Sequence, residues 1–252
     1  MPARRRVLIK VAQLTEPVLE ITQAVAGYGD LDILHGIDLQ VAGAAWTTII
    51  GANGAGKSTL LKLIAGTLPC RSGRLRFEGR DVTALTSVDR LRQGIGLVPQ
   101  GRCNFPMLSV AENLSLGMFT RRLGRAQKQD ELAAMAERFP LFKQRWATLA
   151  GNLSGGEQQL LEMAMVLLAK PRLMLLDEPS LGLSPKAMAQ VFEVIRELTS
   201  SGLAVLMVEQ NAQQALAQCD RAVVLELGQV GLTGAAREIL DHPQIRRHLL
   251  GL

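Results

Sequence analysis

The sequence predicts an α/β fold: a mostly parallel sheet with helices on both faces and an antiparallel β edge, interrupted by an inserted helical subdomain. Short apolar or β-branched runs alternate with segments of helical period, the pattern of strands joined by crossover helices. Between residues 101 and 170 the alternation stops and only helical stretches follow one another. The chain has 252 residues, 48% hydrophobic and 20% charged, which suits one domain with a real core and a subdomain.

In chain order, residues 46–50 read as a strand that runs into a helix beginning at Lys57, and 95–98 as a second strand. Residues 110–119, 127–139 and 156–169 carry helical period. Residues 173–176 are a third strand with a helix from Pro185, and 204–208 a fourth with a helix near Ala212. Gly228 and Gly231 mark a hairpin over 225–232, and helices over 235–250 close the chain. The expected division is a basic arm (1–16), one domain (17–236) and a helical tail (237–252), with the core at 17–100 and 171–236 and the helical subdomain at 101–170. There is no internal repeat, low-complexity tract or long linker.

Composition excludes several classes. No run reaches the roughly 20 apolar residues of a membrane span, and Glu162 interrupts the longest candidate. Positive charge precedes a few apolar residues at the start, but Lys10, Gln13 and Glu16 break that stretch and no small-residue cleavage site follows, so a solvated arm is expected. Cys70, Cys103 and Cys219 are odd in number and lack a C-x-x-C arrangement, which suits a reducing compartment. The net charge of +5 includes Arg4, Arg5, Arg6, Arg121, Arg122, Arg125, Arg246 and Arg247, read as solvated faces. Aromatics are only 4% of the chain, too few for base-stacking platforms, so no nucleic-acid role is expected.

Three motifs carry chemistry. Residues 51–58, GANGAGKS, match G-x-x-x-x-G-K-[ST] between a predicted strand and a predicted helix. Gly51, Asn53, Gly54, Ala55 and Gly56 form a loop whose N–H groups, with the following helix N-terminus, turn to phosphate oxygens; Lys57 adds a cation, and Ser58 and Thr59, which open the helix, complete the nucleotide-binding set. Ser58 offers its hydroxyl to Mg²⁺. Residues 172–179, RLMLLDEP, read as a buried strand whose C-terminal end projects Asp177 and Glu178 into a cleft. An acidic pair in that place is often only a helix cap; with a phosphate loop upstream, Asp177 is a Mg²⁺ ligand, direct or through water, and Glu178 the general base that polarises the attacking water. Residues 153–159, LSGGEQQ, hold a capping box, Ser154 with Glu157, and also an anion site, because Ser154, Gly155 and Gly156 sit at a helix N-terminus.

Together these motifs resemble the nucleotide-binding subunits of ABC transporters, P-loop NTPases, over nearly the whole chain. The resemblance implies ATP hydrolysis with Mg²⁺ and a head-to-tail dimer, in which Ser154 to Gly156 complete the site of the second ATPase subunit. By the same resemblance Tyr28 stacks on adenine, Gln100 contacts Mg²⁺ and water and senses the membrane partner, and residues 180–183 cross the dimer interface. It places the chain on the cytoplasmic face of the inner membrane, as a peripheral subunit of transmembrane permease chains and, indirectly, of a periplasmic or extracytoplasmic solute-binding protein. Two positions depart from the family. Gln210 stands where a histidine contacting the γ-phosphate is common, and glutamine donates a hydrogen bond but carries neither proton nor charge. Slower hydrolysis, greater dependence on Glu178, or an unequal partner follow from it. Ala44 and Ala45 replace the usual Gly-Glu, and nothing in the sequence accounts for that.

Finer stretches, YGDLDILHGIDL, FPMLSVAENLSLGMF, DEPSLGLSP, VEQNAQQAL and the ending HLLGL, resemble the importers of branched-chain and other neutral amino acids and of urea or short amides. Gln100 leans to urea and neutral amino acids, DEPSLGLSP to amino acids. An exporter motor remains the nearer alternative. A soluble ABC ATPase normally shows two cassettes or a coiled-coil insertion, and a small-molecule kinase leaves LSGGEQQ without purpose. Lys57, Asp177 and Glu178 argue against a regulatory subunit that does not hydrolyse.

Overall fold

The four runs read as strands lie parallel and side by side in one sheet of the computed structural model, which describes residues 17–243 and 245. The basic arm and most of the C-terminal tail lie outside the described residues. The chain opens with β1 (Pro17–Tyr28), β2 (Leu31–Ala42) and β3 (Trp46–Ile50), then α1 (Lys57–Ala65), β4 (Ser72–Phe77), β5 (Arg80–Asp81), α2 (Ser87–Gln93) and β6 (Ile95–Val98). Helices α3 (Val110–Leu116), α4 (Arg125–Arg138), α5 (Pro140–Gln144) and α6 (Gly155–Leu167) follow. The chain returns through β7 (Leu173–Asp177), α7 (Pro185–Ser200), β8 (Ala204–Val208) and α8 (Ala212–Leu216), and finishes with β9 (Arg221–Glu226), β10 (Gln229–Ala235) and α9 (Ala236–Asp241).

The main sheet has the order β10-β9-β3-β8-β7-β6. All pairs are parallel except β9 with β10, which supplies the antiparallel edge. β3, β7 and β8 are buried at every residue, as strands covered on both faces must be. Their side chains alternate between two cores. Leu173, Leu175, Ala204, Leu206 and Val208 meet α1 and the second sheet, whereas Met174, Leu176, Val205 and Met207 meet Val191, Phe192, Ile195 and Leu198 of α7. Helices α3 to α6 gather round a third cluster that includes Val110, Leu114, Met135, Phe142, Leu161 and Ala164.

The second sheet, β2-β1-β4-β5, is antiparallel and was not legible as strands in the sequence. Its pairing of β1 with β2 slips register between Ile21 and Ala24 and twice more before Gly27, so the period-2 alternation that betrays a strand is broken. Two helices differ in extent from expectation. The 110–119 segment stops at Leu116, because the chain turns at Gly117 to pass against the backbone of Met165 on α6. The 127–139 segment begins at Arg125, where the Gln127 side chain accepts the Gly124 N–H and so caps the first turn.

The C-terminal end of α1 is finished by a distant residue. Buried Arg90 donates to the carbonyls of Leu63 (2.6 Å) and Ile64 (2.9 Å), the orphan acceptors of the last turn, and to Thr83 (2.8 Å). Its cation thus complements the negative end of the helix whose other end carries the phosphate loop.

Candidate functional site

The phosphate loop joins β3 to α1, and two of its glycines are required by geometry. A Cβ at Gly51 would lie 2.2 Å from the Leu225 carbonyl oxygen of β9, and Gly56 caps α1 with φ +101°, a conformation costly to any residue with a Cβ. Among the described residues no side chain caps α1 and no acid stands in its first turn, so its leading N–H groups can face an anion. Asn53 and Gly54 are exposed at the crest of the loop, while Ala55 is buried and its carbonyl accepts from Gly228 of the β9–β10 hairpin at 3.0 Å.

Lys57 is buried, and its ammonium folds back to donate to the carbonyls of Gly51 (2.9 Å) and Ala52 (3.2 Å). Burial pulls its pKa below the ordinary lysine value, while Glu178 and Asp177 act to raise it. Ser58 donates its hydroxyl to Asp177 at 2.9 Å, so the hydroxyl of α1 and the carboxylate ending β7 meet across the cleft. Burial raises the Asp177 pKa, against the Ser58 hydrogen bond that lowers it. A hydroxyl and a carboxylate oxygen held together are hard donors of the kind Mg²⁺ takes. Thr59 is buried in the first turn of α1.

Glu178 follows with φ +50°, a strained conformation for a residue with a side chain. Its N–H donates to the Val208 carbonyl (2.9 Å), and its carboxylate accepts from the Gln100 amide at 2.8 Å. Gln100 and Glu178 are therefore brought together although 78 residues separate them. Gln210 follows β8, beside the end of β7, with its side chain exposed. Tyr28 ends β1, 47% exposed, and the Lys62 ammonium of α1 lies 5.7 Å from its ring centre. Tyr28 thus stands over the same helix that begins at Lys57.

Ser154, Gly155 and Gly156 are not brought to the phosphate loop: among the described residues no hydrogen bond joins them to it. They open α6, whose first turn packs on Leu183 and Ala187. The capping box is formed, with the Ser154 hydroxyl accepting from the Glu157 N–H (3.4 Å) and the Glu157 carboxylate accepting from the Ser154 N–H (2.7 Å). Because the serine oxygen accepts in the cap, its O–H is left to donate elsewhere.

Two buried acids are not legible as part of the site in the sequence, although Glu162 interrupts an apolar run. Glu209 accepts from the backbone N–H groups of Ser180 (3.1 Å) and Gln210 (3.2 Å). Glu162 of α6 accepts from the N–H groups of Cys103 (2.8 Å) and Asn104 (3.2 Å) and from the Asn104 side chain (2.8 Å), which ties the segment after Gln100 to the helix that Ser154 opens. The usable signal was an acid inside an apolar run, at LLEMAMVLL and at AVLMVE.

The fold and the loop define a nucleotide-binding α/β domain of the P-loop class. The ABC transporter family model matches residues 34–181, more than half of the chain, and the chain belongs to that family. It is similar to the high-affinity branched-chain amino acid transport ATP-binding protein BraG of Pseudomonas aeruginosa, 43% identical over 224 residues that cover 89% of this chain and 95% of that relative. The lipopolysaccharide export system ATP-binding protein LptB of Escherichia coli is 33% identical over 220 residues, covering 87% and 91%. Among solved structures, the ADP conformation of an ATP-binding cassette of an ABC transporter superposes with a TM-score of 0.83 at 26% identity, over 94% of this chain and all of that one. The chain is thus an ABC transporter ATP-binding subunit and an ATPase. No helix among the described residues is long and apolar enough to cross a membrane.

Proposed function

We propose that this subunit drives uptake of branched-chain or other neutral amino acids, peripheral to the cytoplasmic face of the membrane, paired head to tail with a second ATPase subunit. The observation that carries the substrate class is the 43% identity to BraG along nearly all of both chains. The 33% identity to LptB favours an exporter as the second reading.

In this reading Lys57 and the free N–H groups of α1 hold the β and γ phosphates of ATP, and Tyr28 receives the adenine. Mg²⁺, when bound, supplies charge neutralisation at the phosphates; Ser58 and Asp177 fit it, with Gln100 beside them. Glu178 takes the proton of the attacking water, oriented with Gln100, and Gln210 donates to the γ-phosphate. Ser154, Gly155 and Gly156, which no hydrogen bond among the described residues joins to their own chain's loop, complete the partner subunit's site. Contact with the permease falls on the exposed segment after Gln100. There Met107 is 79% exposed, and Phe105, Leu116 and Phe119 help to line a groove of about 530 Å³.

The experiment is uptake of labelled leucine, alanine and urea by host cells whose only copy carries Glu178→Gln, against unaltered cells. Loss of leucine or alanine uptake with urea uptake intact is the expected result. Loss of urea uptake alone moves the assignment to amides, and no loss of any moves it to export.

A further inference from the structure

The ends of β7 and β8 lie side by side, with Asp177 paired to Val208 and the Glu178 N–H bonded to the Val208 carbonyl. The chain leaves β7 through Glu178 and Ser180 and leaves β8 through Glu209 and Gln210. Glu209 fills the gap between these exits. It is only 3% exposed, its own N–H donates to the Ile49 carbonyl of β3 (3.3 Å), and each carboxylate oxygen has a separate task. Oε1 accepts from the Ser180 N–H and Oε2 from the Gln210 N–H. Burial pushes its pKa above the ordinary glutamate value, against the hydrogen bonds from Ser180 and Gln210 that lower it.

An acid is an expensive way to fill a buried gap, since a hydrocarbon of similar size avoids the desolvation of a carboxylate. What the carboxylate alone offers is two acceptors facing two donors, with no donor of its own to repel either N–H. A glutamine in its place accepts on one side only. The two N–H groups belong to the two loops on which hydrolysis depends in the reading above.

We infer that Glu209 is a positioning residue for ATP hydrolysis, clamping the loop that follows Glu178 to the backbone of Gln210 so that the base and the γ-phosphate donor keep one mutual geometry. It is not a second base, because both oxygens are engaged by backbone and enclosed. The clamp also reaches residues 180–183, the segment assigned to the dimer interface, so closure of the dimer bears on Gln210 through this carboxylate. This inference rests on the roles proposed for Glu178 and Gln210.

The test is steady-state hydrolysis by the purified full chain carrying Glu209→Gln or Glu209→Ala, with Glu178→Gln as control and thermal unfolding as the check on folding. Glu209→Gln, which keeps the volume, is expected to lower kcat roughly 10-fold with KM for ATP within about twofold, and Glu209→Ala to lower kcat at least as much. Unchanged kcat in a folded Glu209→Gln protein overturns the inference. So does a fall in kcat matched by a rise in KM, which marks general damage to the site. If Glu178→Gln itself keeps hydrolysing, the base assignment fails, an outcome read from the control alone.

Discussion

Replacing Glu178 by glutamine lowers kcat for ATP hydrolysis by about 10²- to 10⁴-fold, the range for loss of a general base, while ATP still binds. The separation of effects follows from the geometry. Glu178 lies past the end of β7, where its carboxylate meets the Gln100 amide at 2.8 Å, whereas the elements proposed to hold phosphate lie on the β3–α1 loop. Glutamine keeps the size of the side chain and an oxygen that accepts from Gln100, so the local shape is retained and only proton acceptance is lost. The backbone strain of φ +50° stays in both proteins, so a change in folding does not mimic the result. Equilibrium binding of a fluorescent ATP analogue alongside phosphate release checks both halves. Steady turnover by the variant removes Glu178 from its role.

Lys57→Ala acts on the other half of the site. The ammonium, held at 2.9 Å by the Gly51 carbonyl, sits where burial disfavours charge and Asp177 and Glu178 favour it. In the proposed function its removal deletes a charge-assisted hydrogen bond to phosphate and leaves two carboxylates uncompensated beside an anionic ligand. Roughly 10- to 100-fold weaker ATP binding is expected, from about 1.5–3 kcal/mol for a bond to a charged group. Isothermal titration with ATP measures it directly, and binding within twofold of the unaltered chain contradicts it.

These side chains were legible because their chemistry is local in sequence. The loop 51–58 is contiguous, and Asp177 and Glu178 end an unbroken apolar run whose partners are parallel strands. What lay hidden was non-local. The contact of Gln100 with Glu178 spans 78 residues and depends on β6 and β7 being neighbours in the sheet. Arg90 looks like a surface cation in SVDRLRQ, and only the folded chain shows it closing α1. Glu209 reads as the polar end of a strand until the exits of β7 and β8 are seen to converge on it. The strands β1 and β2 escaped because register slips blur their alternation. The Ser154 motif was legible as a capped helix start; no hydrogen bond among the described residues joins it to its own phosphate loop, and the proposed function makes a second copy necessary to give it a site.

That necessity gives the most direct measurement. Chains carrying Lys57→Ala and chains carrying Ser154→Arg are purified separately, assayed for ATP hydrolysis, and then mixed in equal amounts. If Ser154 completes the partner subunit's site, each preparation alone is nearly inactive at ATP concentrations well below the weakened Kd of the Lys57→Ala chain. The mixture recovers hydrolysis, because one site of each mixed pair combines an intact Lys57 with an intact Ser154 from the other chain. If the mixture stays as inactive as its components, Ser154 does not act across the dimer and the account is contradicted.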